Sequence, residues 1–195
     1  MKILFIASSE SDYLQDLTYA GLSEILGNKS LVDFPYHWQY HKEKKFFWNK
    51  KLEYPKNLGL VKEMNSSTLH LTEEEVLNYL KQNKFSLVIL GSAKIDNLAI
   101  LDRLMEVIQV PWIFIDGGDW TEVGGDFKRL GGQESFNLFQ KICRLKKPSV
   151  IFKRELPLES KEEKLFPLPF SVNSSIIPIK PPVDNKKYQV QFWAV

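Results

Sequence analysis

Two aspartates separated by two glycines form the most informative motif in the chain, Asp116-Gly117-Gly118-Asp119. Carboxylates three positions apart can face one pocket, and the glycines allow a ligand to approach the backbone closely. One carboxylate could act as general base toward a hydroxyl, or the pair could hold a hard cation. Equally, the motif could be a tight turn in which Asp116 caps amides of its own loop. We take Asp116 and Asp119 as candidate catalytic residues, with Gly117 and Gly118 as candidate binding positions.

Two neighbouring cations, Lys153 and Arg154, follow a short apolar run near residue 150. Such a pair suits the phosphate or carboxylate groups of a ligand. Alternatively, Arg154 could pair with Asp116 or Glu155 and only hold the sheet edge together. Both cations are candidate substrate-binding residues.

Hydroxyl and imidazole side chains supply the remaining candidates for substrate binding, Ser8, Ser9, Ser92 and His37. The two adjacent serines, Ser8 and Ser9, follow the first apolar run, where backbone amides and a helix dipole would favour an anion. A plain helix cap at Ser9, completed by Asp12 as a capping box, is the alternative. The serine segment lacks the glycines of a dinucleotide fingerprint and the Gly-Lys-Ser/Thr of a P-loop, so we expect no nucleotide cofactor. His37 and His41 lack a fixed zinc spacing, so we expect no metal.

The elements that must position these residues are predicted by short apolar runs without alternation, typical of strands buried on both faces. The predicted strands are residues 2–8, 30–34, 85–91, 111–116 and 149–153. Residues 58–62 and 67–71 are either two short strands or one interrupted strand, and residues 170–177 could add another.

Helical patterns fill most of the gaps between these strands. We predict helices after Ser9, over residues 72–83, from a cap at Asp96, and over residues 133–145. Leu14, Leu17, Gly21, Leu22 and Ile25 are expected to form the buried stripe of the first helix. Strands alternating with helices indicate an α/β, Rossmann-like, doubly wound and mainly parallel sheet with helices on both faces. Because ligands bind such sheets at the carboxyl ends of the strands, the candidates above should meet at one edge.

Composition narrows the function classes. With 26 basic and 24 acidic residues the net charge is +2, which makes nucleic acid an improbable partner. Residues 42–56 interleave lysines with aromatic side chains. A single-stranded nucleic-acid or sugar-binding loop would need such a pattern, and a solvated insertion is the alternative.

One cysteine, Cys143, excludes an internal disulfide and suits a reducing, cytoplasmic location. No run approaches the ~20 apolar residues of a membrane span.

The end of the chain differs from the rest. Six prolines between residues 157 and 182 exclude a continuous helix there. Pro181-Pro182 resembles a linker, and residues 188–195 read as a strand. We therefore expect a domain over residues 1–180 and, over 181–195, a linker with the first strand of a missing or truncated second domain.

A resemblance rests on the order of several motifs along nearly the whole chain. These are the opening Met-Lys-Ile-Leu-Phe-Ile at residue 1, Tyr-Leu-Gln-Asp-Leu at 13 with Gly-Leu at 21, Val-Asp-Phe-Pro at 32, Ile-Phe-Ile-Asp-Gly-Gly-Asp at 113, Phe-Lys-Arg-Glu-Leu at 152 and Tyr-Gln-Val-Gln-Phe-Trp at 188. Together they resemble the N-terminal half of GT-B type glycosyltransferase-like proteins related to the CgeB and YkvP group.

The resemblance implies an acceptor-side domain. In such proteins this domain holds a carbohydrate or other hydroxyl acceptor, and a C-terminal domain or partner chain binds the nucleotide-sugar. Without that donor site, the chain alone is expected to be inactive. The alternative is a flavodoxin-like binding or signalling domain, although Ser8 and Ser9 stand where a phospho-receiver has its acidic pair.

Overall fold

The computed structural model describes residues 2–10, 12–27, 29–37, 40, 70–156 and 163–168. Within these residues, strands and helices alternate as the apolar runs predict. The elements are β1 (Ile3–Ile6), α1 (Tyr13–Leu26), β2 (Leu31–Phe34), α2 (Glu73–Lys81), β3 (Leu87–Leu90), α3 (Ile95–Met105), β4 (Trp112–Asp116), α4 (Gly125–Leu145), β5 (Val150–Lys153) and β6 (Leu165–Pro167).

The strands form one sheet in the order β2-β1-β3-β4-β5-β6, and every neighbouring pair is parallel. The predicted Rossmann-like, doubly wound sheet is therefore confirmed. The chain winds from β1 toward one edge and from β3 toward the other. Strand order thus reverses between β1 and β3, where parallel sheets commonly open a crevice at their carboxyl ends.

Helices cover both faces of the sheet, as predicted. Successive strand residues point to opposite faces, and two separate apolar clusters result. On one face α2, α3 and α4 pack against side chains such as Leu4, Val88 and Phe114. On the other face α1 packs against Phe5 and Ile115.

Two predicted helix caps are wrong. The N-cap of α1 is Asp12, whose carboxylate accepts bonds from the amides of Leu14 and Gln15 at 3.0 and 3.2 Å. Ser9 lies too far upstream to reach those amides. The N-cap of α3 is Lys94, without a side-chain cap, and Asp96 lies inside the first turn.

The buried face of α1 matches the predicted apolar stripe only in part, since Leu14, Leu17 and Leu22 pack against the core. Ile25 is 80% exposed. The buried residues are Leu14, Gln15, Asp16, Tyr19 and Ser23. Polar side chains are tolerated there because partners satisfy them: the Tyr40 hydroxyl donates to Asp16 at 2.8 Å, and the Tyr19 hydroxyl donates to Asp33 at 3.3 Å.

The two remaining helices differ in how well the sequence predicts them. The helix α2 begins where it was predicted, with Thr72 as its N-cap and Glu75 completing a capping box. The start of α4 is Gly125, well before the predicted Gln133. A non-helical residue, Gly132 (φ 71°), divides α4, so the predicted helix is the second of its two segments.

The sequence reasoning did not predict the edge strand β6, which ends at Pro167. Proline has no N–H to donate, but at a sheet edge that donor is not needed. The described part of 67–71 forms no strand. Residues 42–56, 58–62, 170–177 and 188–195, and the expected domain boundary near residue 180, lie outside the described residues.

Among the helices of the described ranges, none has the length and apolar character that a bilayer span requires.

Candidate functional site

A cavity of about 160 Å³ lies at the carboxyl edge of the sheet. Its walls come from the starts of three helices and from the loops that follow β4 and β5. The lining consists of Asp12, Tyr13 and Leu14 at α1, Ser92, Ala93 and Lys94 before α3, Asp126 and Arg129 in α4, Gly117 and Gly118 after β4, and Arg154 after β5.

The lining contains three cations, Lys94, Arg129 and Arg154, and two carboxylates, Asp12 and Asp126, and each cation also has a carboxylate partner inside or beside the lining. Arg129 Nε lies 3.0 Å from Asp126 Oδ1. Lys94 Nζ lies 3.2 Å from Glu10 Oε2 outside the lining. Arg154 forms an ion pair with Asp119. The cavity therefore presents both donors and acceptors to a ligand.

The positive ends of the three helices are likewise compensated. Asp12 caps α1. Asp96, in the first turn of α3, accepts bonds from the Ser9 amide at 2.8 Å and from the Ser8 and Ser9 hydroxyls at 2.9–3.0 Å. Asp126 lies in the first turn of α4. A carboxylate at each N-terminus offsets the attraction that a helix end has for an anionic ligand.

Asp116 is fully buried and points back into its own loop. Its Oδ1 accepts the amide of Gly118 at 3.1 Å, and its Oδ2 accepts the amide of Gly124 at 2.8 Å. The capping interpretation of the Asp-Gly-Gly-Asp motif is thereby confirmed. Burial raises the pKa of Asp116, against the opposing effects of Lys153 and of the two amides.

Lys153 is the buried cation that pairs with Asp116. The two residues are register partners on β4 and β5, so their side chains point to the same face of the sheet. The Lys153 Nζ lies 3.3 Å from Asp116 Oδ2 and donates to the carbonyl oxygen of Gly118 at 3.1 Å. Neither side chain is exposed.

Arg154 turns instead toward the rim of the cavity. Besides pairing with Asp119, it donates to the Tyr13 hydroxyl at the start of α1. Its backbone amide donates to the Asp116 carbonyl oxygen at 3.0 Å. Of the two side-chain partners that the sequence offered for Arg154, Asp116 or Glu155, the Glu155 carboxylate lies 3.6 Å from its Nε. Asp119 is exposed.

The glycines after β4 allow neighbouring side chains to pack closely against the backbone of this loop. A Cβ on Gly117 would lie 2.2 Å from Leu14 Cδ2, and one on Gly118 would lie 2.8 Å from Asp126 Cγ. At Gly124 the φ of 73° and a neighbouring Phe139 ring, 2.5 Å from an added Cβ, also favour glycine. The loop after β4 is therefore held closely between α1 and α4.

Ser92 lines the cavity and is supported from behind by a buried amide network. Its hydroxyl donates to Gln15 Oε1 at 3.1 Å and accepts from Asn97 Nδ2 at 2.8 Å. The same Gln15 oxygen accepts the Ser8 amide at 2.7 Å. This network joins the ends of β1 and β3 to the starts of α1 and α3.

His37 lies apart from the cavity, on the α1 side of the sheet. Its backbone amide donates to Asp33 at 2.6 Å, and its ring stacks on Tyr40 with centroids 4.3 Å apart.

Four of the predicted site residues line the cavity: Ser92, Gly117, Gly118 and Arg154. Ser8, Ser9, His37, Asp116, Asp119 and Lys153 are not in the lining, and their roles in catalysis or binding stay predictions. The sequence reasoning did not propose Asp12, Tyr13, Lys94, Asp126 or Arg129 as site residues. For Asp12, Tyr13 and Lys94, a position at a helix start that follows a sheet strand was the available signal, whereas Asp126 and Arg129 precede the predicted start of the fourth helix.

In the part of the chain that the structure describes, no cluster of three or more His, Cys, Asp or Glu side chains could hold a metal ion. No protein-family model, curated protein or solved structure matches this chain. The resemblance to GT-B type proteins therefore stays an expectation from sequence.

Proposed function

We propose that the cavity binds a single neutral sugar unit, and that the chain is the acceptor side of a glycosyltransferase-like protein. The observation that carries the proposal is the mixed charge of the lining, in which the carboxylates of Asp12 and Asp126 lie among the cations Lys94, Arg129 and Arg154. The sugar would be the hydroxyl acceptor in a transfer from a nucleotide-sugar.

The chemistry of hydroxyl groups fits this lining better than that of an anion. Each sugar hydroxyl both donates and accepts hydrogen bonds, so it can bridge a carboxylate and a neighbouring cation. A phosphate only accepts from such groups and would be repelled by Asp12 and Asp126. The carboxylates at all three helix starts weaken the dipole effect that normally draws phosphate to this edge.

The size of the cavity also favours a small ligand. Its volume of about 160 Å³ is below the roughly 300–1,000 Å³ of pockets that hold drug-sized molecules. One sugar ring suits this volume better than a nucleotide-sugar or a flavin. The proposed donor would therefore bind outside this cavity, on a C-terminal domain or a partner chain.

A carboxylate in the lining would serve as general base. In the proposed transfer, Asp126 takes the proton of the acceptor hydroxyl while that oxygen bonds to the anomeric carbon, and the nucleoside diphosphate leaves with the bonding electrons. We favour Asp126 over Asp116, which is sealed inside its loop, and over Asp119, which is exposed at the rim. A cytoplasmic setting belongs to the proposal, since the single cysteine suits a reducing compartment.

Calorimetric or NMR titration with glucose, galactose, mannose and N-acetylglucosamine tests the proposal. At roughly 0.3 kcal/mol per non-hydrogen atom, a hexose of about twelve such atoms should gain about 4 kcal/mol, a Kd on the order of 1 mM. UDP-, GDP- and dTDP-sugars should bind no more tightly than the free sugars, and the chain alone should neither hydrolyse nor transfer them.

Matched variants tie the binding to the cavity. Asp126→Asn and Arg129→Gln should each weaken sugar binding, because each removes one member of the pair that a hydroxyl would bridge. Arg103→Gln is the control, since Arg103 forms a similar exposed pair with Glu73 away from the cavity. Absence of sugar binding, equal affinity in all three variants, or micromolar binding of a nucleotide-sugar would refute the proposal.

A further inference from the structure

The backbone of Gly118, in the wall of the cavity, is held at both its N–H and its carbonyl oxygen by one buried ion pair. Asp116 accepts its N–H at 3.1 Å, and Lys153 donates to its carbonyl oxygen at 3.1 Å. Both side chains are fully buried and lie 3.3 Å from each other. Water therefore does not compete for these bonds.

The same carboxylate fixes the other end of the loop and, through it, the start of α4. Gly124, the N-cap of α4, donates its amide to Asp116 at 2.8 Å. Asp126 follows two residues later and lies against Gly118, since an added Cβ there would approach its Cγ to 2.8 Å. Asp126 in turn holds Arg129 at 3.0 Å. A shift of Gly118 would therefore displace the cavity's own carboxylate and guanidinium.

We infer that Asp116 and Lys153 are positioning residues that keep the cavity in its binding geometry before a ligand arrives. The inference rests on the proposed function, because it assigns the pair to the site that would hold the sugar. Neither residue contacts the ligand; both act through Gly118 and, from there, through Asp126.

Stability alone does not require this arrangement. A buried ion pair is often no more stabilising than apolar side chains of similar volume. Apolar side chains, however, could not accept the amides of Gly118 and Gly124 or donate to the Gly118 carbonyl. The ion pair therefore fixes the positions of Gly118 and Gly124 in the loop, which apolar packing alone would not fix.

The test combines amide hydrogen exchange with sugar binding in Asp116→Asn, Lys153→Met and the double variant. Exchange at Gly118 and Gly124 should be faster in both single variants under conditions where the fold persists. Affinity per folded molecule for the four sugars above should fall by on the order of tenfold, as when supporting residues of a binding site are removed. Because the pair acts as one unit, the double variant should lose about as much as either single one, not the product.

The matched control is Asp16→Asn, which alters a buried carboxylate on the α1 side of the sheet. It should change neither the exchange of Gly118 and Gly124 nor sugar affinity. If Lys153→Met does not fold, Lys153→Arg, which keeps the charge but changes the donor geometry, serves in its place. Unchanged exchange at both glycines, or unchanged affinity in folded variants, would overturn the inference.

The two proposals fail in different ways. If the unmodified protein binds none of the four sugars, the proposed function is refuted. The exchange of Gly118 and Gly124 then still decides whether the pair holds the cavity wall: protection lost in both single variants supports that role, and protection retained overturns it.

Discussion

Two buried carboxylates, Asp116 and Asp16, lie on opposite faces of the sheet in contrasting surroundings. Asp116 ends β4 and has a buried lysine and two backbone amides as partners. Asp16 lies in α1 and accepts a bond from the Tyr40 hydroxyl at 2.8 Å. Asp116 is thus compensated by a charge and by the backbone, and Asp16 by neutral groups.

The contrast has electrostatic consequences. Burial raises the pKa of Asp16 to about 6, with the Tyr40 bond opposing and the nearby Asp12 charge adding to the shift. Burial also raises the pKa of Tyr40 well above its ordinary value, so its hydroxyl remains a donor. Asp116 is tied to the loop that forms the cavity wall, whereas Asp16, which changes charge near pH 6, does not line the cavity.

The largest expected change in the free energy of unfolding comes from removing Lys153. Lys153→Met should lower the free energy of unfolding by about 3–5 kcal/mol, because it leaves the buried Asp116 without its cation. Urea denaturation near neutral pH measures this change. The double variant Asp116→Asn/Lys153→Met should recover part of the loss, since it removes the uncompensated charge. A loss below about 1 kcal/mol in the single variant would mean that Asp116 and Asp16 do not differ as proposed.

The second effect is the pH dependence that Asp16 contributes. Its pKa is higher in the folded state, about 6, than its ordinary value of 3.8, so the folded state binds the proton more tightly. The stabilisation is full below pH 3.8 and is lost as pH rises through 6. A difference of about two pKa units corresponds to about 3 kcal/mol.

Asp16→Asn isolates this contribution. Between pH 4 and pH 7, the unfolding free energy of the unmodified protein should fall by about 2 kcal/mol relative to that of the variant. Denaturant titrations of both proteins at four pH values provide the comparison. Parallel pH profiles would show that Asp16 does not carry the raised pKa.

The smallest expected change in stability is that of an exposed ion pair, and it serves as a reference for the two buried groups. Arg103 and Glu73 form an ion pair at 2.8 Å, but both side chains are at least 40% exposed. Arg103→Gln should cost less than about 1 kcal/mol, because solvent screens the pair. Thermal unfolding of this variant beside Lys153→Met measures how much burial adds to a pair. Equal losses in the two variants would contradict the role assigned to burial.

The sheet was predictable because its central strands are continuous apolar runs between helix-length segments. The features missed depend on tertiary context. The polar face of α1 is buried only because Asp33 and Tyr40 supply partners from elsewhere in the chain. The edge strand containing Pro167 forms because β5 offers it a pairing edge.

The sequence predicted where the candidate site lies better than it predicted which residues line it. Strand ends place the candidates at the sheet edge where the cavity lies, and Gly117, Gly118, Ser92 and Arg154 line that cavity. Charges such as Asp126, from helix starts, could not be assigned, since a sequence does not fix how a helix start faces its neighbours. Nor could the sequence distinguish a ligand-facing Asp116 from one that caps its own loop.

The most direct test of the account is an amide-resolved NMR titration of the full chain, first with glucose, galactose, mannose and N-acetylglucosamine and then with inorganic phosphate. We expect at least one sugar to shift the amides of Lys94, Gly117, Gly118 and Arg129 with one common Kd on the order of 1 mM. The amide of Arg103, which is not in the cavity lining, should stay unshifted, and phosphate should not shift the cavity amides at the same concentrations. No sugar-dependent shift at the cavity, or phosphate binding there more tightly than every sugar, would contradict the proposal that the cavity takes a neutral sugar.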